Sequence, residues 1–377
     1  MRSPRKAVLA VLTASVLAAS GATAAAAPAA NDTGNREETQ LQKLYQQAVA
    51  EGGDLVVYAG GDKPGQADYL RDAFVEKFPK IKANVIVDFS KNHDARVDDQ
   101  VAEGKVVADV VHLQTIDDFP RWKREGVLEP YKPAGWDKVY NQVKDRDGYY
   151  TGVFFFAFSN VTATSLGSNA PVEAADFLKP EFKDKLVFTY PNDDDAVLYY
   201  FKQLTDKYGF GYLQKLLAQH PKFVRGTQDS ADLVGTAPYV ASFGTSGGRP
   251  GLAQQTYPAQ SPWVAWPQTA GILKQAPHKA AAKLYLSWLL SRDTQQNDIG
   301  TWSARTDVAP PAGAKNIFGY PNMNPLGLGT FMSDRTALDR YKARITLYVG
   351  DVQGVNPADP DGKLGRYPVD ENGTQGA

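Results

Sequence analysis

The stretch "LVVYAGGDKPGQADYLRDAFVEKFP", residues 55–79, decides how the rest of the chain is read. Leu55 to Tyr58 is a short apolar and aromatic run, suited to a strand buried on both faces of a parallel sheet. Leu70, Ala73, Phe74 and Phe78 then recur at helical spacing, and Pro79 stops the pattern. Strand, glycine-rich loop and amphipathic helix make half of a βαβ unit. In such sheets ligands collect at the carboxyl ends of the strands, beside helix amino termini with unpaired N–H groups. Gly60 and Gly61 have no Cβ and would let a ligand approach the backbone, although a tight turn alone would use them equally. The run G-G-D-K-P-G lacks the G-x-G-x-x-G spacing of a dinucleotide site.

Outward from this unit the alternation continues. Strands are expected at Asn84–Phe89 and Ala108–Leu113, with a short helix near Arg96–Glu103 between them, ended by Gly104. Alternating strands and helices imply a largely parallel sheet, so the loop of Gln114 and Thr115 should emerge on the same edge as Gly60, Gly61 and Asp62. Beyond Pro130, Gly152–Ser159, Lys185–Tyr190 and Pro238–Gly244 read as strands, and Ala196–Leu204, Gly211–Ala218 and His278–Ser291 as helices. Trp263–Pro267 and Thr269–Leu273 form a further apolar stretch, with Trp263 and Trp266 near a domain crossing.

The first 30 residues have a separate role. Arg2, Arg5 and Lys6 precede an apolar run from Ala7 to Ala19 and then small residues, the pattern of a secretory signal peptide. Its removal would leave 347 residues, room for two domains, and take the formal charge from -1 to -4. Mild acidity without a basic block argues against nucleic acid as a partner. The chain has no cysteine, which excludes thiolate metal sites, cysteine nucleophiles and a lipid-modified cysteine anchor. A soluble, exported monomer is expected. Residues 31–40 are polar and read as flexible, and the segment from 356 is turn-rich.

Three motifs carry possible chemistry. Gly244–Gly248 matches G-x-S-x-G around Ser246, but Arg249, Pro250 and Gly251 are poor material for the helix a nucleophile elbow requires. The downstream His278 also lacks an acid between itself and Ser246. The histidines are not in paired metal spacing; His93, Asp94, Asp98 and Asp99 read as a solvated helix face, and His112 as a core residue. Asp193, Asp194 and Asp195 precede a helix: one would cap it, and three carboxylates at a cleft edge would also attract a cation.

The segments "LVVYAGG" (55–61), "ADVVHLQ" (108–114), "GVLEPY" (126–131) and "ILKQAPHKAAAKLYLSWLLS" (272–291) together resemble the extracellular solute-binding proteins of ABC transporters, in the ferric-ion, thiamine and phosphonate branch. The resemblance spans roughly residues 50–310. It implies an α/β chain with a two-lobed type II periplasmic-binding-protein-like fold, each lobe a mostly parallel sheet flanked by helices. Lobe one would hold 40–150 plus about 264–310, lobe two 151–263 plus about 311–355, with 356–377 a tail. It further implies no catalytic role and no cofactor, capture of a small solute by lobe closure, and delivery to a membrane permease. Ligand-binding residues expected on this basis are Gly60, Gly61, Asp62, Gln114, Thr115, Asp193, Asp194, Ser242, Phe243, Gly244 and Trp266. The adjacent tyrosines of ferric-ion members have no equivalent after residue 243, since Tyr199 and Tyr200 fall inside a helix, so a cationic or neutral organic solute is favoured over iron. A secreted hydrolase and a sensor uncoupled from transport are the alternatives.

Overall fold

The computed structural model describes residues 28–368. The signal-peptide reading therefore lies largely outside the described residues. Helix α1 (Pro28–Glu51) leads into strand β1 (Asp54–Gly60), helix α2 (Asp68–Lys77), strand β2 (Lys82–Asp88), helix α3 (Ser90–Glu103), strand β3 (Val110–Leu113), helix α4 (Asp118–Glu125) and the short strand β4 (Leu128–Glu129). Strands β2, β1 and β3 pair in parallel in that order, as the alternation of apolar runs requires. Phe74 of α2 is fully buried in this lobe's core.

The long strand β5 (Thr151–Ala163) then leaves for the second lobe. That lobe holds β6 (Val187–Thr189), α5 (Asp195–Tyr208), α6 (Phe210–Leu217), β7 (Lys222–Val224), α7 (Thr227–Leu233), β8 (Ala241–Thr245) and β9 (Ala253–Thr256). Strands β6 and β7 are parallel, and β8 and β9 both pair antiparallel with the far half of β5. The chain returns along β10 (Val264–Leu273), which runs antiparallel to β5 and then to β3. Thus β5 and β10 together join the lobes. After β10 come α8 (Lys279–Leu289), α9 (Arg292–Asn297), β11 (Trp302–Ser303), α10 (Gly327–Ser333) and α11 (Arg335–Val349). Tyr285 and Trp288 of α8 meet Phe74 edge-on at 5.3 and 5.2 Å, locking α8 onto the first lobe.

Three local expectations are corrected. Residues 31–40 are helical, not flexible, because Glu37 is tied down: its carboxylate accepts from Arg305 Nη1 at 2.7 Å and from the Arg292 N–H at 2.8 Å. Helix α3 begins at Ser90, well before Arg96, and buries His93, Asp94 and Arg96. Asp94 is therefore not on a solvated face; it accepts the Thr115 hydroxyl at 2.7 Å inside the lobe. The segment after 356 is attached, since Arg96 Nε donates to the Gly365 carbonyl at 2.6 Å and Gln100 Nε2 to that of Arg366 at 2.8 Å.

Candidate functional site

Between the lobes lies a cavity of about 1150 Å3, open mouth included. Its floor is made by the joining strands. Side chains alternate along a strand, so Phe154, Phe156 and Phe158 of β5 all project to the cavity side, next to Trp266 of β10. Phe156 lies 5.5 Å from Trp266 with planes 30° apart, and Phe158 meets Trp266 edge-on at 4.7 Å. Trp266 Nε1 donates to Gln268 Oε1 at 3.1 Å, and Gln268 Nε2 donates to the His112 carbonyl at 3.1 Å. That chain fixes the ring system against β3. Phe156 is only partly buried and presents its ring to the open space.

One wall comes from the first lobe. Gly60, Gly61, Asp62, Gln114 and Thr115 all line the cavity, at the ends of β1 and β3. Their backbones are cross-tied: the Gln114 N–H donates to Ser90 Oγ at 3.0 Å. A Cβ on Gly60 would stand 2.2 Å from that Oγ, and one on Gly61 2.7 Å from Val87 Cγ1. The glycines therefore serve close packing of the loop on its own lobe. His112 also lines the cavity; its ring has no hydrogen-bond partner at Nδ1, and burial pushes its pKa down to about 4, so it is neutral.

The opposite wall carries Asp193, Asp194 and Asp195, and their charges are already unequal. Asp193 receives Lys91 Nζ at 2.6 Å and Arg225 Nε at 2.8 Å. Burial alone would raise its pKa, but these two cations outweigh it and hold the carboxyl below its usual value. Asp195 faces Arg335 at 3.2 Å and Lys342 at 3.5 Å. Asp194 caps α5, accepting the Val197 N–H at 2.9 Å, and among the described residues no cation forms an ion pair with it. Poor hydration, then the nearby charge of Asp62, pushes its pKa up to about 7. The three carboxylates thus do not act together on a cation. Two are neutralised, and one faces the cavity unpaired.

Asp62 is spoken for by the other lobe: its Oδ2 accepts from the Thr227 N–H at 2.6 Å, from the Thr227 hydroxyl and from the Gln228 N–H at 3.1 Å. Lys63 beside it pairs with Asp229 at 2.8 Å. These bonds join the wall of one lobe to that of the other.

Ser242, Phe243 and Gly244 are not among the lining residues of this cavity. Phe243 is buried in the second lobe's core, 4.3 Å from Phe188 and stacked on Tyr200 at 5.2 Å with planes 13° apart. The strand continues through Thr245, and the loop delivers Ser246 to the cavity instead. No helix follows Ser246, and His278 is bonded to Asp109 at 3.0 Å, so the residues of a hydrolytic triad are not assembled. Tyr199 stacks on Phe331 at 5.3 Å, leaving neither of the adjacent tyrosines on the cavity wall. Among the described residues no group of three or more His, Cys, Asp or Glu side chains could hold a metal ion. The same residues contain no helix long and apolar enough to cross a membrane.

Residues 106–318 match the family model of bacterial extracellular solute-binding proteins. The chain belongs to that family. A search of curated proteins gave no match. Solved structures similar to this solute-binding protein include iron-bound HitA from Pseudomonas aeruginosa, with 13% identity, a TM-score of 0.58, and coverage of 78% of this chain and 99% of that one. AfuA from Actinobacillus pleuropneumoniae, with fructose-6-phosphate bound, gives 16% identity and a TM-score of 0.61 over 79% and 99% of the two chains. The substrate-binding protein of an ABC transporter from Agrobacterium tumefaciens gives 14% and 0.66 over 78% and 94%. At such identities the likeness is one of fold, the two-lobed type II periplasmic-binding fold.

Several cavity residues of this solute-binding protein carried no sequence signal. Phe154, Phe156 and Phe158 were hidden because Phe155, on the opposite face, is equally apolar. Arg335 and Lys342 sit two turns apart on one face of α11, some 140 positions from Asp195. Thr227 begins a short helix whose sequence, T-Q-D-S-A-D-L, has no apolar stripe.

Proposed function

We propose that this chain is the capture component of an ABC-type uptake system, closing its lobes on a small organic solute with a flat, largely apolar body, neutral or carrying one positive charge. The observation that carries this reading is the aromatic floor of Phe154, Phe156, Phe158 and Trp266, beneath a wall whose one unpaired carboxylate is Asp194. Aromatic faces attract planar rings and cations, and a single buried carboxyl orients one donor group. Iron is disfavoured because neither Tyr199 nor Tyr200 reaches the cavity. A phosphorylated solute is disfavoured because Lys91, Arg335 and Lys342 are each engaged by an aspartate.

The site in this reading consists of Asp62, Gln114, Thr115, Asp193, Asp194 and Trp266, with the backbone of Gly60 and Gly61, and the lobes divide as 40–150 with 264–310 and 151–263 with 311–355. The protein works outside the cell membrane after loss of its leader, does no catalysis, and hands its solute to a permease. A thermal-shift panel of thiamine, choline, spermidine, ferric citrate, glucose and fructose 6-phosphate tests it. A ligand at a hundred times its Kd adds about 2.7 kcal/mol of stability. Stabilisation by thiamine, the flat organic cation of the panel, supports the reading, and stabilisation only by spermidine, glucose, ferric citrate or fructose 6-phosphate refutes it.

A further inference from the structure

The segment following α11 lies past the family match, which ends at residue 318. It touches both lobes in turn. On the second lobe, Asn192 Nδ2 donates to the Gly350 carbonyl at 3.0 Å, and Arg225 Nη1 to the Gly354 carbonyl at 3.2 Å. Two residues later, Asn356 Nδ2 donates to Oδ1 of Asp88, a fully buried carboxylate at the end of β2 in the first lobe, at 2.8 Å. Pro357 is wedged at the lobe junction, where a Cβ on Gly226 would meet its Cγ at 2.8 Å and Asp62 Cβ at 3.3 Å. The chain then runs along α3. Asp359 accepts the Lys363 N–H at 2.7 Å, closing a turn, and the carbonyls of Gly365 and Arg366 take Arg96 and Gln100. Arg366 and Tyr367 finish on Asp99 and Glu103 of the same helix.

We propose that residues 350–368 form a strap that holds the cleft closed, so that the lobes open only when the strap lets go of one of them. Strands β5 and β10 and the segment between β11 and α10 already join the lobes, and the strap adds a fourth crossing. Between Gly354, held by the second lobe, and Asn356, held by the first, the chain spans at most about 7 Å when fully extended. Hinge opening that moves Asp88 away from Arg225 must therefore break the Asn356 or the Gly354 attachment. The side chains on the α3 end are arranged to favour loss of the first-lobe attachment in stages: Arg366 and Tyr367 are outermost, while Arg96 and Gln100 are buried. Such a strap lowers the population of the open form and slows both entry and release of the solute.

The inference rests on the reading of the cleft as a hinged clamp, and its test uses no solute, so its failure leaves the thermal-shift result standing. Because the chain has no cysteine, Glu76→Cys on α2 and Lys215→Cys on α6 give two unique labelling positions, one on each lobe. Pulsed electron paramagnetic resonance on the spin-labelled protein reads the distance between lobes. The full chain is expected to give one narrow distribution. A chain ending at Val349, with its fold verified by circular dichroism, is expected to give a longer and broader one. The triple variant Asn356→Ala, Arg366→Ala, Tyr367→Phe, which alters only side chains that are not in the core, is expected to fall between them. Unchanged distributions in the folded truncation overturn the strap. If the truncation does not fold, an unchanged distribution in the triple variant overturns it instead.

Discussion

The carboxylate of Asp62 on the first lobe holds Thr227 of the second, accepting its backbone N–H at 2.6 Å and its hydroxyl as well. A side chain of one cavity wall is thus inserted among backbone donors of the other, the N–H groups of Thr227 and Gln228. The carboxyl is buried, and that burial raises its pKa, so part of the gain from its bonds is offset by lost hydration. Asp62→Ala should shift closure by about 2 kcal/mol, within the range for charge-assisted bonds, and lower the affinity for a captured solute roughly 30-fold. Tryptophan fluorescence titration reads this, and an unchanged Kd would detach Asp62 from the closing mechanism.

Asp194 should impose a pH dependence with a definite sign. Its folded pKa, about 7, lies above that of an unfolded aspartate, so the folded state binds a proton more tightly. Its contribution to stability is full below about pH 4 and is lost as the pH rises towards 7. Partial access to cavity water keeps the slope below the limit of about 1.4 kcal/mol per pH unit. Asp194→Asn retains a capping side chain and should flatten the Tm profile between those limits. Binding of a monocation runs the opposite way, since it needs the carboxylate. Affinity for such a probe should rise up to about tenfold from pH 6 to pH 8 in the wild type and stay level in Asp194→Asn.

Phe156→Ala separates binding from folding. Trp266 is buried and its removal would cost about 3–5 kcal/mol of stability. Phe156 is partly open to the cavity, so its truncation should lower Tm far less while weakening a flat cationic probe by about 1–2 kcal/mol, roughly 5- to 30-fold. Calorimetric titration beside a melting curve distinguishes the two effects. Equal losses of Tm in Phe156→Ala and Trp266→Ala would make the floor a core feature only.

Glu37→Ala tests whether the N-terminal helix is part of the folded unit. The Arg305 side chain is fully buried between Glu37 at 2.7 Å and Asp307 at 2.8 Å. Removing one partner of a buried pair costs about 3–5 kcal/mol, and the remaining Asp307 places this variant at the lower end. A denaturant midpoint identical to that of the wild type would show α1 to be dispensable.

The first lobe was legible because its strands carry apolar runs and its helices are amphipathic, so each apolar run from Leu55 to Leu113 signals one element. Loops at the ends of those runs gave Asp62, Gln114 and Thr115 their place on the cavity wall. Strand β9, Ala253–Thr256, escaped because A-Q-Q-T at a sheet edge has neither alternation nor apolar bulk. The end of β8 differs from the sequence reading: the apolar run closes on Gly244, but pairing with β5 extends to Thr245. The charge balance of the aspartates was beyond reach for another reason. Lys91, Arg225 and the α11 pair Arg335 and Lys342 come from three distant parts of the chain, and only the folded chain brings them to Asp193 and Asp195.

The central claim is that a flat organic guest is held on the aromatic floor between the lobes. Its most direct test is calorimetric titration of the best-stabilising organic compound into the wild type, Phe156→Ala and Asp62→Ala at one pH. The account predicts one site per chain in the wild type, with both variants at least about fivefold weaker, in line with the loss of a ring contact or a closing bond. Equal affinities in all three proteins would place the solute elsewhere and contradict it.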